Sequence, residues 1–289
     1  MKEYKTNEEL IEHLENKNII IDDRNFALNI IDNYSYYSVI NTYKYVFQKS
    51  DNTYFENVHF DEIYSLYSFD KNIRTIFLKY ALEFELKIRG IMGNILAKNY
   101  GLDNYLNKES FDDLANDTDI DNIVDSINVE IDKNKGKHPA ITHYDQTYGF
   151  MPPFVAIKIL SFGQISRWYG LLKQSDRNEI AKKFNISPKL LKQILVNMTL
   201  ARNICAHSDR LFSFHSKFFM SFKLIDSSYK VNNNSTNLYM LIRCMEKFLN
   251  KGDYEELIKL IETEFNKLKE SIKSIDAKVI LKVMGYPDV

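Results

Sequence analysis

Apolar residues recur along most of this chain at intervals of three and four, the period of one helix face. Thr6 stands before the first such run with Glu9 three residues later, and the pair predicts a capping box. The helix it opens carries Leu10, Ile11 and Leu14 to about Lys17. Further helices are predicted over residues 24–33 and 36–48, with a short extended piece at 55–59. Residues 61–99 then repeat the pattern through Ile63, Leu66, Tyr67, Asp70, Ile73, Arg74, Phe77 and Leu78. That stretch is long for one globular helix, so a kink or break is predicted near Asp70 or at Gly90 and Gly93.

Residues 103–137 are the most polar part of the chain and include Asp112, Asp113, Asp117, Asp119, Asp121 and Asp125. No D-x-D-x-D-G loop is present, so calcium is not indicated. The segment reads as a solvated helix-loop-helix face and a flexible insertion. Pro152-Pro153 opens the next helix, and Ser161-Phe162-Gly163 interrupts the pattern before a helix over 164–173 that carries Trp168. Ser175 is the expected cap of a short helix to Phe184. Ser187-Pro188 starts another, with proline at the first helical position. An aromatic-rich run over 212–224 and a polar loop over 226–237 follow. Helices over 238–249, 254–274 and 276–284 close the chain. No repeat and no clear linker interrupts it, so the simplest organisation is one all-α domain over 1–289 with a polar insertion around 103–137.

Composition sharpens this picture in three ways. Nine Gly and five Pro in 289 residues are few, which favours helix over strand. The net charge of −1 lacks the basic excess of a protein that grips long nucleic acid non-specifically, so an RNA site would have to be local. Two cysteines, Cys205 and Cys244, are too few for a disulfide framework. No apolar run reaches a membrane-spanning length, and the first residues, MKEYKTNEEL, do not read as a signal peptide. A reducing, cytoplasmic setting is expected. Tyr34, Tyr36, Tyr37, Tyr43 and Tyr45 crowd one region, where they could stack bases or fill a core and an interface.

The candidate chemistry lies at Arg202-Asn203-Ile204-Cys205-Ala206-His207. At 100° per residue, Asn203 and His207 fall about 40° apart on one helix face, whereas Arg202 and His207 diverge by about 140°. Arg210 follows on the same side as His207. Histidine moves protons near neutral pH, and a guanidinium forks onto phosphate oxygens and steadies their charge. An amide can fix the imidazole's tautomer. A base beside a ribose 2′-hydroxyl lets that oxygen attack its own phosphate, leaving a 2′,3′-cyclic phosphate and a 5′-hydroxyl with no metal required. The spacing R-x-x-x-x-H alone is weak, since many chains contain one by chance, and a satisfied histidine at a capped helix end is the ordinary alternative. Asp70 with Arg74, and Glu85 with Arg89, are four apart and can pair on a helix face. They could line a cleft or form a buried network. His138 and His143 belong to no four-ligand zinc set; His13, His59 and His215 look incidental. No P-loop, GxGxxG or G-x-S-x-G is present.

The wider context of the motif resembles a known family. Arg202 to Phe212, R-N-I-C-A-H-S-D-R-L-F, is similar to the R-N-x-x-A-H and R-L-[WF] signature of the Abi-like (AbiD/AbiF) abortive-infection proteins. Other matches fall in the expected order: Leu66-Tyr67-Ser68-Phe69-Asp70 with Arg74, Glu85 with Arg89, Leu160 to Ser166, and Met284-Gly285-Tyr286-Pro287. Ser208 and Ser213 depart from the His and Asn that many relatives carry. The family is similar to the HEPN superfamily, whose active members are metal-independent RNases built where two R-x-x-x-x-H helices meet. The resemblance therefore implies a HEPN-like helical bundle elaborated with extra N- and C-terminal helices. It also implies a toxin-like endoribonuclease in antiviral defence, with Arg202 and His207 catalytic and Asn203 positioning. Arg210, Arg74 and Arg89 are candidate RNA contacts. No cofactor or metal is implied. The expected partners are RNA, a second copy completing a composite site in a homodimer, and an antitoxin, with no membrane.

Two other functions fit the same residues. One is a non-catalytic RNA-binding protein associated with a small structured RNA. The other is an interaction dimer whose Arg/His helix is only an interface.

Overall fold

The computed structural model describes residues 4–229 and 235–287. Its spine is a single 41-residue helix, α3 (Phe60–Tyr100), about 60 Å long at 1.5 Å per residue. The helix is not broken at either expected position, and both have other work. Gly93 lets α6 approach, since a Cβ there would stand 2.8 Å from Phe154 Cα. Asp70 is turned inward to accept hydrogen bonds from another part of the chain. A helix this long persists because it is packed on several sides, burying Ile63, Leu66, Phe69, Ile73, Phe77, Phe84 and Ile88 among others.

Before the spine, α1 (Asn7–Glu15) has the expected capping box from Thr6 and Glu9, and α2 (Arg24–Tyr34) is capped by Asp23. The helix expected over 36–48 is not regular. Ser35 turns the chain with φ +65°, a π-turn follows at Tyr37–Asn41, and a 3₁₀ turn at Lys44–Phe47. Val39, Ile40, Tyr43, Val46 and Phe47 are buried, so the segment is helical as the apolar spacing predicts, but its winding passes through π and 3₁₀ turns in place of one regular α-helix. The irregular winding lets the Tyr43 hydroxyl reach Asp70 and leaves the Thr42 carbonyl free for Arg210.

After the spine, α4 (Asp117–Asn134) crosses the polar segment. It buries Ile120, Ile123, Ile127 and Ile131 against α6 (Pro153–Ile159) and α7 (Phe162–Leu171), and leaves Asp119, Asp121 and Asp125 in water. α5 (Pro139–Tyr148) lies between α4 and α6 in the chain. Ser161 and Gln164 close a capping box on α7. α8 (Gln174–Lys182) starts just ahead of the expected cap Ser175, with Lys173 in the cap position and no side-chain cap bond.

α9 (Pro188–Ala206) is capped by Ser187, whose hydroxyl accepts from the Leu190 amide. Beyond it, β1 (His215–Ser216) pairs antiparallel with β2 (Thr236–Asn237). Residues 230–234 of the expected polar loop lie outside the described residues. The predicted helix over 238–249 is α10 (Leu238–Cys244) followed by a 3₁₀ turn. α11 (Lys251–Ser271) packs along α3, and α12 (Lys278–Met284) ends the described chain. The fold is all-α with one two-residue ribbon among the described residues. No described helix is long and apolar enough to cross a membrane.

Candidate functional site

α9 is amphipathic in a way that decides the site. Leu190, Leu191, Ile194, Leu195, Met198, Ala201 and Cys205 face inward. Asn203, Ala206 and His207 are exposed on the other side. The helix stops at His207, its C-cap, whose amide donates to the Asn203 carbonyl at 2.9 Å. Ser208 then takes φ +61°, and the Asp209 amide donates to the Ile204 carbonyl at 3.0 Å, a helix-ending turn of the left-handed kind. The chain leaves sharply, so His207 sits at an open helix end with Asn203 one turn before it.

Arg202 is placed differently. Its side chain is 31% exposed, and its Nε lies 3.4 Å from Glu85 Oε2. The pair is within ion-pair range but not aligned as a hydrogen bond. Its Nη1 stands 3.5 Å from Asn203 Oδ1. Glu85, only 7% exposed, gives its other oxygen to Arg89 Nη2. Arg89 also donates to the carbonyls of Ile157 and Leu160 where α6 ends. A polar chain thus runs from buried α6 carbonyls through Arg89 and Glu85 to the half-exposed guanidinium of Arg202. Breaking such a buried pair by removing one partner leaves an uncompensated charge, which costs about 3–5 kcal/mol.

The second polar centre is Asp70, fully buried. It accepts from the Tyr43 hydroxyl at 2.7 Å, from the Phe212 amide at 2.6 Å and from the Leu211 amide at 3.1 Å. Arg74 Nη1 completes the set, and donates also to the Asp209 carbonyl at 3.3 Å. Burial pushes the Asp70 carboxyl above its ordinary range, while Arg74, Tyr43 and the two amides pull the other way. An isolated buried carboxylate is prohibitively costly, and one surrounded by donors is not.

The sequence-predicted residues therefore divide. Arg202, Asn203 and His207 all lie at the end of α9, but Arg202 turns toward Glu85 while Asn203 and His207 are exposed. Arg74 and Arg89 are held in buried ion pairs with Asp70 and Glu85, the network arrangement of the two readings considered for them. Arg210 lies apart from both. Its Nη1 donates to the Thr42 carbonyl at 2.5 Å, and its guanidinium lies 4.5 Å from the Tyr45 ring centroid. Among the described residues it makes no ion pair. Cys205 faces inward, and its thiol is pushed up to about 12, chiefly by burial, so it is no nucleophile. Among the described residues, no group of three His, Cys, Asp or Glu side chains is placed to hold a metal ion.

The contact between Glu85 and Arg202 was not legible in the pattern, which paired Glu85 only with Arg89. Nor were the amides of Leu211 and Phe212 on Asp70. The one available signal was that Asp70 and Glu85 fall in the same ordered set of matches as the motif.

The chain matches the family model of Abi-like protein over residues 29–213. It belongs to that family. The matched span runs from α2 through the end of α9 and past it to Ser213, so it contains α3, both buried carboxylates and the whole motif. The helices α10 to α12 lie beyond it. Membership of the Abi-like family points to abortive infection, a form of phage defence. No curated protein and no solved structure matches the chain.

Proposed function

We infer that this Abi-like protein is a metal-independent endoribonuclease of the HEPN kind, acting as the toxin of an abortive-infection system. The observation that carries the reading is the exposed imidazole of His207 at the open end of α9, with Asn203 one turn away and Arg202 braced by Glu85.

The chemistry needs only the chain's own groups. His207 accepts the proton of a ribose 2′-hydroxyl. The freed O2′ attacks the adjacent phosphorus, and the P–O5′ bond breaks. The proton passes to the leaving O5′, giving a 2′,3′-cyclic phosphate on one fragment and a 5′-hydroxyl on the other. Arg202 neutralises charge on the phosphate oxygens as it builds. Arg210, held rigid by Thr42 and Tyr45, is a further phosphate contact.

One copy does not easily supply both groups. Arg202 and His207 diverge by about 140° around α9. Two copies meeting along this face would set the imidazole of one opposite the guanidinium of the other. The site is therefore a composite one in a homodimer, and single-stranded or looped RNA, free to adopt in-line geometry, is its substrate.

The test is cleavage of RNA by the purified protein in EDTA, with end-group analysis. Cyclic phosphate ends, lost in His207→Ala with folding intact, are the expected result. Equal cutting by wild type and His207→Ala would overturn the assignment. RNA bound but never cut would leave an RNA-binding protein instead.

A further inference from the structure

A buried carboxylate that belongs to no reacting group holds the chain on the far side of the motif. Asp70 sits on α3, and the two amides it accepts come from Leu211 and Phe212, 141 and 142 residues further along. These donors lie three and four residues after the sharp turn at Ser208. Arg74 adds a bond to the Asp209 carbonyl just before them. The segment 209–212 is therefore pinned to α3 at three backbone points. His207 lies two residues before the pinned segment and Arg210 within it. On the other side of the motif, Glu85 of the same helix braces Arg202.

The geometry points to Asp70 as a positioning residue of this site: by clamping Leu211 and Phe212 it sets where the His207 imidazole and the Arg210 guanidinium stand relative to Arg202. α3 then acts as a ruler. Asp70 and Glu85 are separated by about 22 Å of rigid helix, and the motif is held between them. Tyr43 is the second half of the clamp. Its hydroxyl occupies a further lone pair of Asp70, and its neighbour Thr42 offers the carbonyl that fixes Arg210. A free helix end frays in its last turn, and small misplacements of reacting groups are costly. A histidine at a helix C-cap needs such a clamp, because the helix itself holds it on one side only.

The proposal rests on the ribonuclease reading for what the site does, and not for where Asp70 holds it. Its test is the NMR spectrum of the six histidine rings in full-length wild type, Asp70→Asn and Tyr43→Phe, with amide exchange and RNA cleavage on the same samples. In Asp70→Asn the His207 resonances move while those of His13, His59, His138 and His143 stay. Exchange at Leu211 and Phe212 rises about tenfold or more, as expected for a lost charge-assisted hydrogen bond. Cleavage loses kcat by about tenfold or more with KM little changed, because the reacting groups are misplaced and not removed. Tyr43→Phe shows the same local changes at smaller amplitude. Unmoved His207 resonances and unchanged exchange in a folded Asp70→Asn overturn the proposal. If all six rings move, that variant has unfolded and Tyr43→Phe decides, an unmoved His207 again overturning it. A wild type that cuts no RNA sinks the ribonuclease reading alone, since the ring and amide signals still report on the clamp.

Discussion

Glu85 Oε2 lies 3.4 Å from Arg202 Nε, a polar contact between the motif helix and the spine helix on which it packs. The carboxylate is shared, its other oxygen being taken by Arg89. Two guanidinium groups converge on one buried acid.

Glu85→Gln should therefore be doubly harmful. It leaves Arg89 and Arg202 facing a neutral amide, at a cost of about 3 kcal/mol. It also frees Arg202 to wander, so RNA cleavage should fall further than unfolding explains. Urea denaturation and single-turnover cleavage on the same samples separate the two effects. Wild-type stability in this variant would show that the ion pair is not formed.

His207→Ala should behave in the opposite way. The side chain is exposed and its ring makes no hydrogen bond among the described residues, so stability should stay within about 0.5 kcal/mol of wild type. Cleavage should drop by about a hundredfold or more, the usual range for a removed general acid or base. Thermal melts and cleavage rates check both halves.

Ser208 is a third target, because it holds φ +61° at the end of α9. The left-handed conformation costs a side-chain-bearing residue about 1–2 kcal/mol, part of which glycine returns as unfolded-state entropy. Ser208→Gly should stabilise by about 0.5 kcal/mol, and Ser208→Val should destabilise. Denaturation midpoints with unchanged slopes would verify the pair. A destabilising glycine would mean that the serine hydroxyl does something the turn does not require.

Gly93→Ala tests the spine. A Cβ there would stand 2.8 Å from Phe154 Cα, which is backbone and cannot swing aside. Separating α3 from α6 should cost about 1–3 kcal/mol, as overpacking does. Gly90→Ala, where nothing lies within 4 Å, should instead stabilise, by the helix propensity of about 1 kcal/mol. If both changes had the same sign in urea melts, the close helix crossing would be refuted.

Cys205 and Cys244 should resist thiol reagents in the native protein. Both are buried, and burial pushes the Cys205 thiol up to about 12, so almost no thiolate exists at pH 8. A thiol assay should read none before denaturation and two after it. Rapid native labelling at Cys205 would mean that the end of α9 opens.

Much of the fold was legible locally. The capping pair Thr6 with Glu9 is three residues apart and is where the pattern put it, whereas Ser161-Phe162-Gly163, which reads as an interruption, is the capped start of α7, with Gln164 closing the box. Ser187 and Pro188 open α9 as their types require. The all-α class and the motif helix followed from the same spacing. The winding over 37–47 was not legible, because an apolar period near four does not tell α from π or 3₁₀ when a buried tyrosine must reach a particular acid. The uninterrupted α3 was missed for a related reason. Gly93 and Asp70 look like breakers in one dimension and are contacts in three.

By itself, the order of residues determined which stretches are helices, which faces are apolar, and that Arg202, Asn203 and His207 share one helix end, since all of these depend on neighbours within a turn or two. Only the tertiary structure decided that Arg89 and Arg74 are spent inside the protein, that Glu85 reaches Arg202, and that Asp70 clamps Leu211 and Phe212. Those contacts join residues more than a hundred positions apart or bury charges against one another. Their energies depend on which surfaces lose water when the helices pack, a quantity no local pattern contains.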